Sequence, residues 1–181
     1  DLITKIEDKD KDGKVEYTRE YSYTDGKLTM LIKRDKQGDT YTYTTKTLYT
    51  YNTDGTISYE YFGINEQTGV KTGKSTLGKY TFSSGNLVKD AYSYANDGEN
   101  ITIYEYDTKN NPSKNITGFN LLLDEKVAVN NLAKRAYSYP YGNGISTETY
   151  TYTYTYDANG FPAGGEIFYD GKSEGTVQYF Y

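Results

Sequence analysis

The chain has 181 residues, of which 20 are Lys or Arg and 25 are Asp or Glu, giving a net charge of −5. Basic and acidic residues are interspersed, so the sequence offers no positive footprint for nucleic acid or for an anionic membrane surface. No apolar run approaches the ~18 residues of a membrane-spanning helix. Cys and His are both absent, which excludes disulfides, thiolate chemistry, His-based triads and His or Cys metal centres.

Leu, Ile, Val and Phe together number 32, about 18% of the chain, a share usually too small for an oily core. The 24 tyrosines fill that place, because they recur with period 2 and disordered chains are poor in aromatics. Each can bury a ring while its hydroxyl keeps a partner or water. A core of this kind is thin and wet at its margins.

Taken in order, residues 2–7 read as a short strand, followed by the polar run Asp8-Lys9-Asp10-Lys11-Asp12-Gly13 ending in a hairpin Asp-Gly pair. Residues 14–24 form a second strand with Val15, Tyr17, Tyr21 and Tyr23 on one face. Asp25-Gly26 turns it into residues 27–34, where Leu28, Met30 and Ile32 fall on one face, and a turn containing Gly38 closes that hairpin. Residues 40–52 form a long strand carrying Tyr41, Tyr43, Tyr49 and Tyr51, and Thr53-Asp54-Gly55 leads to residues 56–64. Residues 70–82 are a weaker strand in which Gly73 and Gly78 read as bulges or bends. Ser83-Ser84-Gly85 and Asn96-Asp97-Gly98 bound the strands 86–95 and 100–107.

The rhythm then breaks over residues 108–131. This segment holds loop chemistry around Pro112 and the densest apolar cluster of the chain, Phe119, Leu121, Leu122 and Leu123, which can form one or two helical turns. Residues 132–141 resume the pattern, and Gly142-Asn143-Gly144 turns into the clearest strand of all, 145–157. There Tyr150, Tyr152, Tyr154 and Tyr156 share one face, and Thr147, Thr149, Thr151, Thr153 and Thr155 share the other. No helical period keeps those two sets apart. Ala158-Asn159-Gly160, the strand 161–169, a turn at Asp170-Gly171 with a loop to Gly175, and the strand 176–181 complete the chain.

About twelve strands joined by connections this short must be antiparallel neighbours, which predicts an all-β, up-and-down meander in one β domain spanning 1–181, interrupted by the insertion at 108–131. So many twisted strands must curl, split or close. A closed or nearly closed barrel filled by tyrosine, with the segment 119–123 plugging or capping one end, removes both edges. The alternative is an open single-layer sheet.

Candidate chemistry is sparse. Asp8, Asp10, Asp12 and Gly13 copy the first half of a calcium loop, but Arg19 stands where the bidentate Glu should fall, so the run reads as a hairpin turn and no metal is expected. Glycosidase chemistry needs two carboxylates across a cleft, for which Glu60, Glu105 and Glu148 are the conceivable partners. Glu60 and Glu105 face away from the neighbouring tyrosines, and Glu148 lies on the tyrosine side. The tyrosine rows could line a groove for sugar or peptide, although cross-strand pairing that holds the sheet together accounts for them more simply.

The units Tyr-x-Tyr-(Asp/Asn)-x-x-Gly, clearest in Tyr154-Thr155-Tyr156-Asp157-Ala158-Asn159-Gly160-Phe161-Pro162, resemble the YD repeats of Rhs-type shell proteins. The chain is more closely similar to secreted lipoproteins of the Bacteroidetes whose domain has a porin-like β fold and no known function. That resemblance rests on Leu2-Ile3-Thr4-Lys5-Ile6 before an acidic Gly turn, on Asn111-Pro112-Ser113-Lys114-Asn115-Ile116-Thr117-Gly118, and on the closing Tyr-Thr strand with its Asn-Gly-Phe-Pro turn. It implies export and a lipid-anchored, flexible N-terminal linker, and it supplies no catalytic residue. The opening Asp1-Leu2-Ile3 fits a mature chain whose leader has been removed. The expectation is a non-enzymatic, monomeric module without cofactor, secreted or at the cell surface, lipid-anchored at the outer membrane or periplasmic, and binding a glycan or a peptide. The alternatives are a carboxylate-dependent glycan hydrolase and a purely structural spacer.

Overall fold

The structure, a computed structural model, describes residues 1–37, 40–95, 98–123 and 128–181. Twelve strands follow one another as β1 (Lys5–Lys9), β2 (Val15–Thr24), β3 (Lys27–Gln37), β4 (Thr40–Tyr51), β5 (Ile57–Ile64), β6 (Lys71–Ser83), β7 (Asn86–Tyr94), β8 (Asn100–Asn110), β9 (Asn130–Tyr141), β10 (Gly144–Tyr156), β11 (Pro162–Tyr169) and β12 (Lys172–Gln178). Each is hydrogen-bonded to its sequence neighbours, in the order β1 to β12. The all-β meander read from the Tyr and turn pattern is the observed topology. The turns expected at Gly38 and at Asn96 and Asp97 lie outside the described residues.

Among the described residues β1 pairs with β2 alone and β12 with β11 alone, so hydrogen bonds do not close the sheet and it takes the open, single-layer form rather than the closed barrel. Closure is replaced by covering. The described residues of the insertion, 111–123 and 128–129, fold over one face of the sheet and among them contribute a single 3-10 turn, Phe119–Leu121. Leu122 is buried with Tyr21, Leu28, Leu31, Tyr49 and Ile57, and Phe119, Leu123, Ile3, Tyr23 and Phe82 pack around that cluster. The segment leaves from β8 yet reaches the start of the chain. At Gly118 (φ 80°) an added Cβ would stand 2.9 Å from the Asp1 carbonyl oxygen. On its return, the Val129 and Asn130 N–H groups donate to Asn86 Oδ1 at 2.9 and 3.1 Å.

Three hairpins share one design. Asp25-Gly26, Ser84-Gly85 and Asp170-Gly171 are two-residue turns with positive φ at both positions (52° and 74°, 51° and 80°, 44° and 79°). This mirror-image turn matches the twist of the strands it joins. In each case the returning strand then carries one extra residue, Thr29, Val88 or Glu174, that has no partner in the ladder. Such a bulge shifts the alternation by one and adds twist.

The bulge corrects the sequence reading of β3. Tyr23 pairs with Leu28 and Tyr21 with Leu31, so Leu28 and Leu31 share the tyrosine face and are buried, whereas Met30 and Ile32 are only half-buried. It also corrects the last hairpin, because the residues expected as a loop to Gly175 are strand and the turn is two residues long. At the other end of the chain, Asp8 and Lys9, expected in a turn, extend β1.

Gly78, expected at a bend, stands in regular register between Tyr59 and Tyr92. Its missing side chain makes room for the Tyr59 ring, whose Cζ lies 2.2 Å from where a Cβ would be. Gly73 (φ 70°) does sit where the β5–β6 ladder is interrupted. Gly78→Ala should therefore displace the Tyr59 ring and destabilise the protein by about 1–3 kcal/mol, measured by urea unfolding against Gly144→Ala, a strand glycine with open space around it.

Candidate functional site

The tyrosines bind the strands to one another, and Tyr152, Tyr154 and Tyr179 also border a cleft. Several phenols donate to backbone carbonyls near a neighbouring strand: Tyr23 to Ile3 at 2.8 Å, Tyr106 to Leu87 at 2.8 Å and Tyr154 to Leu132 at 3.0 Å. Tyr106 does so where β7 and β8 have stopped pairing, their ladder ending at Lys89 and Ile103. Others bond polar side chains, as Tyr59 does with Asp90 at 2.9 Å and Tyr156 with Asp107. Asp107 also accepts the Lys109 and Asn131 N–H groups, which fastens the strand that emerges from the insertion. Rings pair across strands too, with Tyr59 and Tyr80 centroids 4.6 Å apart and Tyr150 and Tyr169 4.9 Å apart. These contacts match the cross-strand role expected of the tyrosine rows.

Burial comes first among the causes that hold these phenols neutral. It pushes Tyr59 far up, with the Asp90 carboxylate adding to the effect, and it pushes up Tyr154, helped by the neighbouring Tyr179 and Tyr152. Tyr80 and Tyr156 are raised in the same way, Tyr156 with help from its bond to Asp107.

The carboxylates named from sequence are scattered. Glu60 accepts from Lys71 Nζ and Ser75 Oγ, each at 2.6 Å, and these contacts lower its pKa. Glu105 pairs with Lys134 at 2.9 Å. Both lie on the face opposite Tyr59 and Tyr104, three strands apart and offset along the strands, so at least about 14 Å separates them at ~4.8 Å per strand, beyond the ~5–9.5 Å of a glycosidase pair. Glu148 lies on the tyrosine face and accepts from Tyr139 Oη at 2.9 Å. No two of the three share a cleft.

The acidic run is a turn. Asp10 Oδ1 accepts the Asp12 and Lys14 N–H groups, both at 2.8 Å, and Asp8 pairs with Arg19. Asp157 repeats the arrangement, accepting Asn159 N–H at 2.9 Å and Phe161 N–H at 2.8 Å. The carboxylate that a calcium ion would need is thus committed to the backbone. Among the described residues no cluster of carboxylates could hold a metal.

The structure adds a site that the sequence did not indicate. A cleft of about 500 Å³ opens between the insertion and the last four strands. Tyr152 and Tyr154 of β10, Glu166 and Ile167 of β11, Val177 of β12 and Tyr179 line one side of it. Asn111, Pro112, Ser113 and Phe119 of the insertion line the other, and Asn131 and Leu132 stand between them. Its volume falls in the range of ligand sites. Its residues come from the insertion, from β9, β10 and β11, and from β12 with the segment after it; sequence singles out Phe119, Pro112 and the row holding Tyr152 and Tyr154, but nothing in it brings them together. A second hollow of about 290 Å³ lies on the tyrosine face among Tyr49, Tyr59, Tyr61, Tyr80 and Tyr92, over the short side chains Thr47 and Thr76.

No helix among the described residues is long and apolar enough to cross a membrane. The buried phenols make a prediction about alkali. A phenol that is raised in the folded chain stays protonated above pH 10.0, the ordinary tyrosine value, while the unfolded chain ionises. Stability should be complete below that pH and fall as pH rises through it, with the phenolate absorbance appearing together with unfolding in a combined ultraviolet and circular dichroism titration. Ionisation of most tyrosines without unfolding would contradict the burial described.

No family model matches the sequence, and no curated protein matches it either. Among solved structures, the chain is similar to a porin-like protein from Bacteroides vulgatus ATCC 8482, with a TM-score of 0.58 and 19% identity over 97% of this chain and 91% of that one. The two share the porin-like β fold expected from the sequence.

Proposed function

We propose that this chain is a non-enzymatic, monomeric binding module of the bacterial envelope, exported and lipid-anchored or periplasmic, which takes a peptide or a glycan into the cleft beneath the insertion. The observation that carries this reading is the cleft itself, about 500 Å³ walled on one side by aromatic and aliphatic groups and roofed by a segment that departs from the repeat. Pockets lined in this way by apolar groups with a few polar ones are the ordinary form of a ligand site. The dispersed carboxylates give a hydrolase no pair to work with. The resemblance to Bacteroidetes lipoproteins and to a porin-like protein from Bacteroides supports the envelope placement.

A screen of the protein against a glycan array and a peptide library tests the proposal. One ligand class should bind, and Val177→Arg, which places a cation in the cleft at an edge strand tolerant of polar groups, should abolish that binding while leaving the melting temperature unchanged. Absence of binding to both libraries would favour the spacer, and turnover of an arrayed polysaccharide would favour the hydrolase.

A further inference from the structure

We propose that the outer edge of β12, which no strand among the described residues covers, is a strand-addition site, at which an extended peptide from another protein pairs with the main chain and sets alternate apolar side chains into the cleft. This rests on the cleft being the ligand site and names the ligand as peptide rather than glycan.

The two edges of the sheet differ. β1 is five residues long and carries Lys5, Glu7, Asp8 and Lys9, with Lys5 and Glu7 paired at 2.6 Å and Asp8 paired to Arg19. Short charged strands are the usual protection against unwanted pairing. The second half of β12 reads Gly175-Thr176-Val177-Gln178, without a charge or a proline. That unprotected stretch is the part of the edge that borders the cleft, through Val177 and the following Tyr179.

The ladder fixes which groups are available. Tyr179 N–H donates inward to the Ala163 carbonyl at 3.1 Å, and Gly165 is opposite Val177. Inward and outward bonding alternates along an antiparallel strand, so Val177 and Tyr179 bond to β11, while Thr176 and Gln178 turn their N–H and C=O groups outward. An added strand would bond these two residues and so would lie beside Val177, whose side chain points into the cleft. Every second residue of the guest would share that face. Main-chain pairing would supply affinity and the apolar cleft a preference for alternating sequences, which is how strand addition operates in peptide recognition. A sugar has no strand to pair with the outward main-chain groups of Thr176 and Gln178.

The test uses the full chain and a displayed library of seven-residue peptides. Enriched peptides should carry apolar residues at alternate positions. Thr176→Pro removes an outward N–H without touching a bond to β11, a position where proline is tolerated, and it should weaken binding at least tenfold with an unchanged melting temperature. Val177→Arg should abolish binding. If Val177→Arg abolishes binding and Thr176→Pro does not, the cleft reading stands and strand addition is overturned. If neither variant affects binding, both fall; if no peptide is enriched, strand addition is overturned and the cleft reading is decided by the glycan array. Concentration-dependent dimerisation that Thr176→Pro removes would identify a second copy as the occupant and overturn the proposal, as would protection of the Thr176 amide by a further segment of the protein's own chain.

Discussion

A single layer of strands has no second sheet to bury its apolar face, and this constraint governs the molecule. The chain meets it by folding its one long insertion back over that face, so that Leu122 joins Leu28, Leu31, Tyr49 and Ile57 in one cluster. Leu28 is completely inaccessible to solvent. The insertion is also bound at both limbs, by close approach of Gly118 to the first residues of the chain and by Asn86 receiving the N–H groups of Val129 and of Asn130, the first residue of β9. It works as a partial second layer, and where its edge rises from the sheet it leaves the cleft.

Tyrosine suits such a sheet because its ring is long and its end is polar. Away from the insertion, aliphatic side chains would be exposed to water, whereas a phenol can lie along the sheet and finish on a carbonyl or carboxylate. Tyr154 does this with Leu132, and Tyr156 with Asp107. Glycines complete the arrangement where a ring lies flat across the next strand, as Tyr59 does over Gly78 and Tyr154 over Gly165, an aromatic cover for a strand glycine. The Tyr-Asp-x-x-Gly unit has a similarly local explanation. Its tyrosine belongs to the strand and its aspartate caps the turn, as Asp157 and Asp10 both show. The acidic run near the start of the chain is therefore the same turn chemistry without the tyrosine.

Much of the fold was legible because the side-chain period of a strand is two and the turns are marked by Asp-Gly, Asn-Gly and Ser-Gly pairs. The alternation of Tyr150 to Tyr156 and the apolar cluster from Phe119 each found their structural place. Errors came where one inserted residue changed the parity. Thr29 made Leu31 rather than Met30 the buried neighbour of Leu28, and Glu174 turned an expected loop into strand. A bulge leaves no composition signal, since Thr and Glu are also ordinary strand surface residues. Closure was beyond the pattern because it depends on whether β1 meets β12, which the alternation within each strand does not encode. The cleft was invisible for a related reason: Pro112, Leu132, Ile167 and Val177 carry no shared motif, and only the folded insertion brings them together.

The functional reading follows from that placement. A repeat that pairs Tyr with Thr builds a sheet but selects nothing, whereas the departure from the repeat creates a cleft whose walls come from two different structural layers. The measurement that tests this account most directly is the stability of Leu122→Ala by chemical denaturation. If the insertion supplies the missing layer, removing this buried side chain should cost about 2–5 kcal/mol, as for a core leucine. A loss within about 0.5 kcal/mol, the range of a surface substitution, would mean that the sheet holds itself together without the insertion, and the account would be wrong.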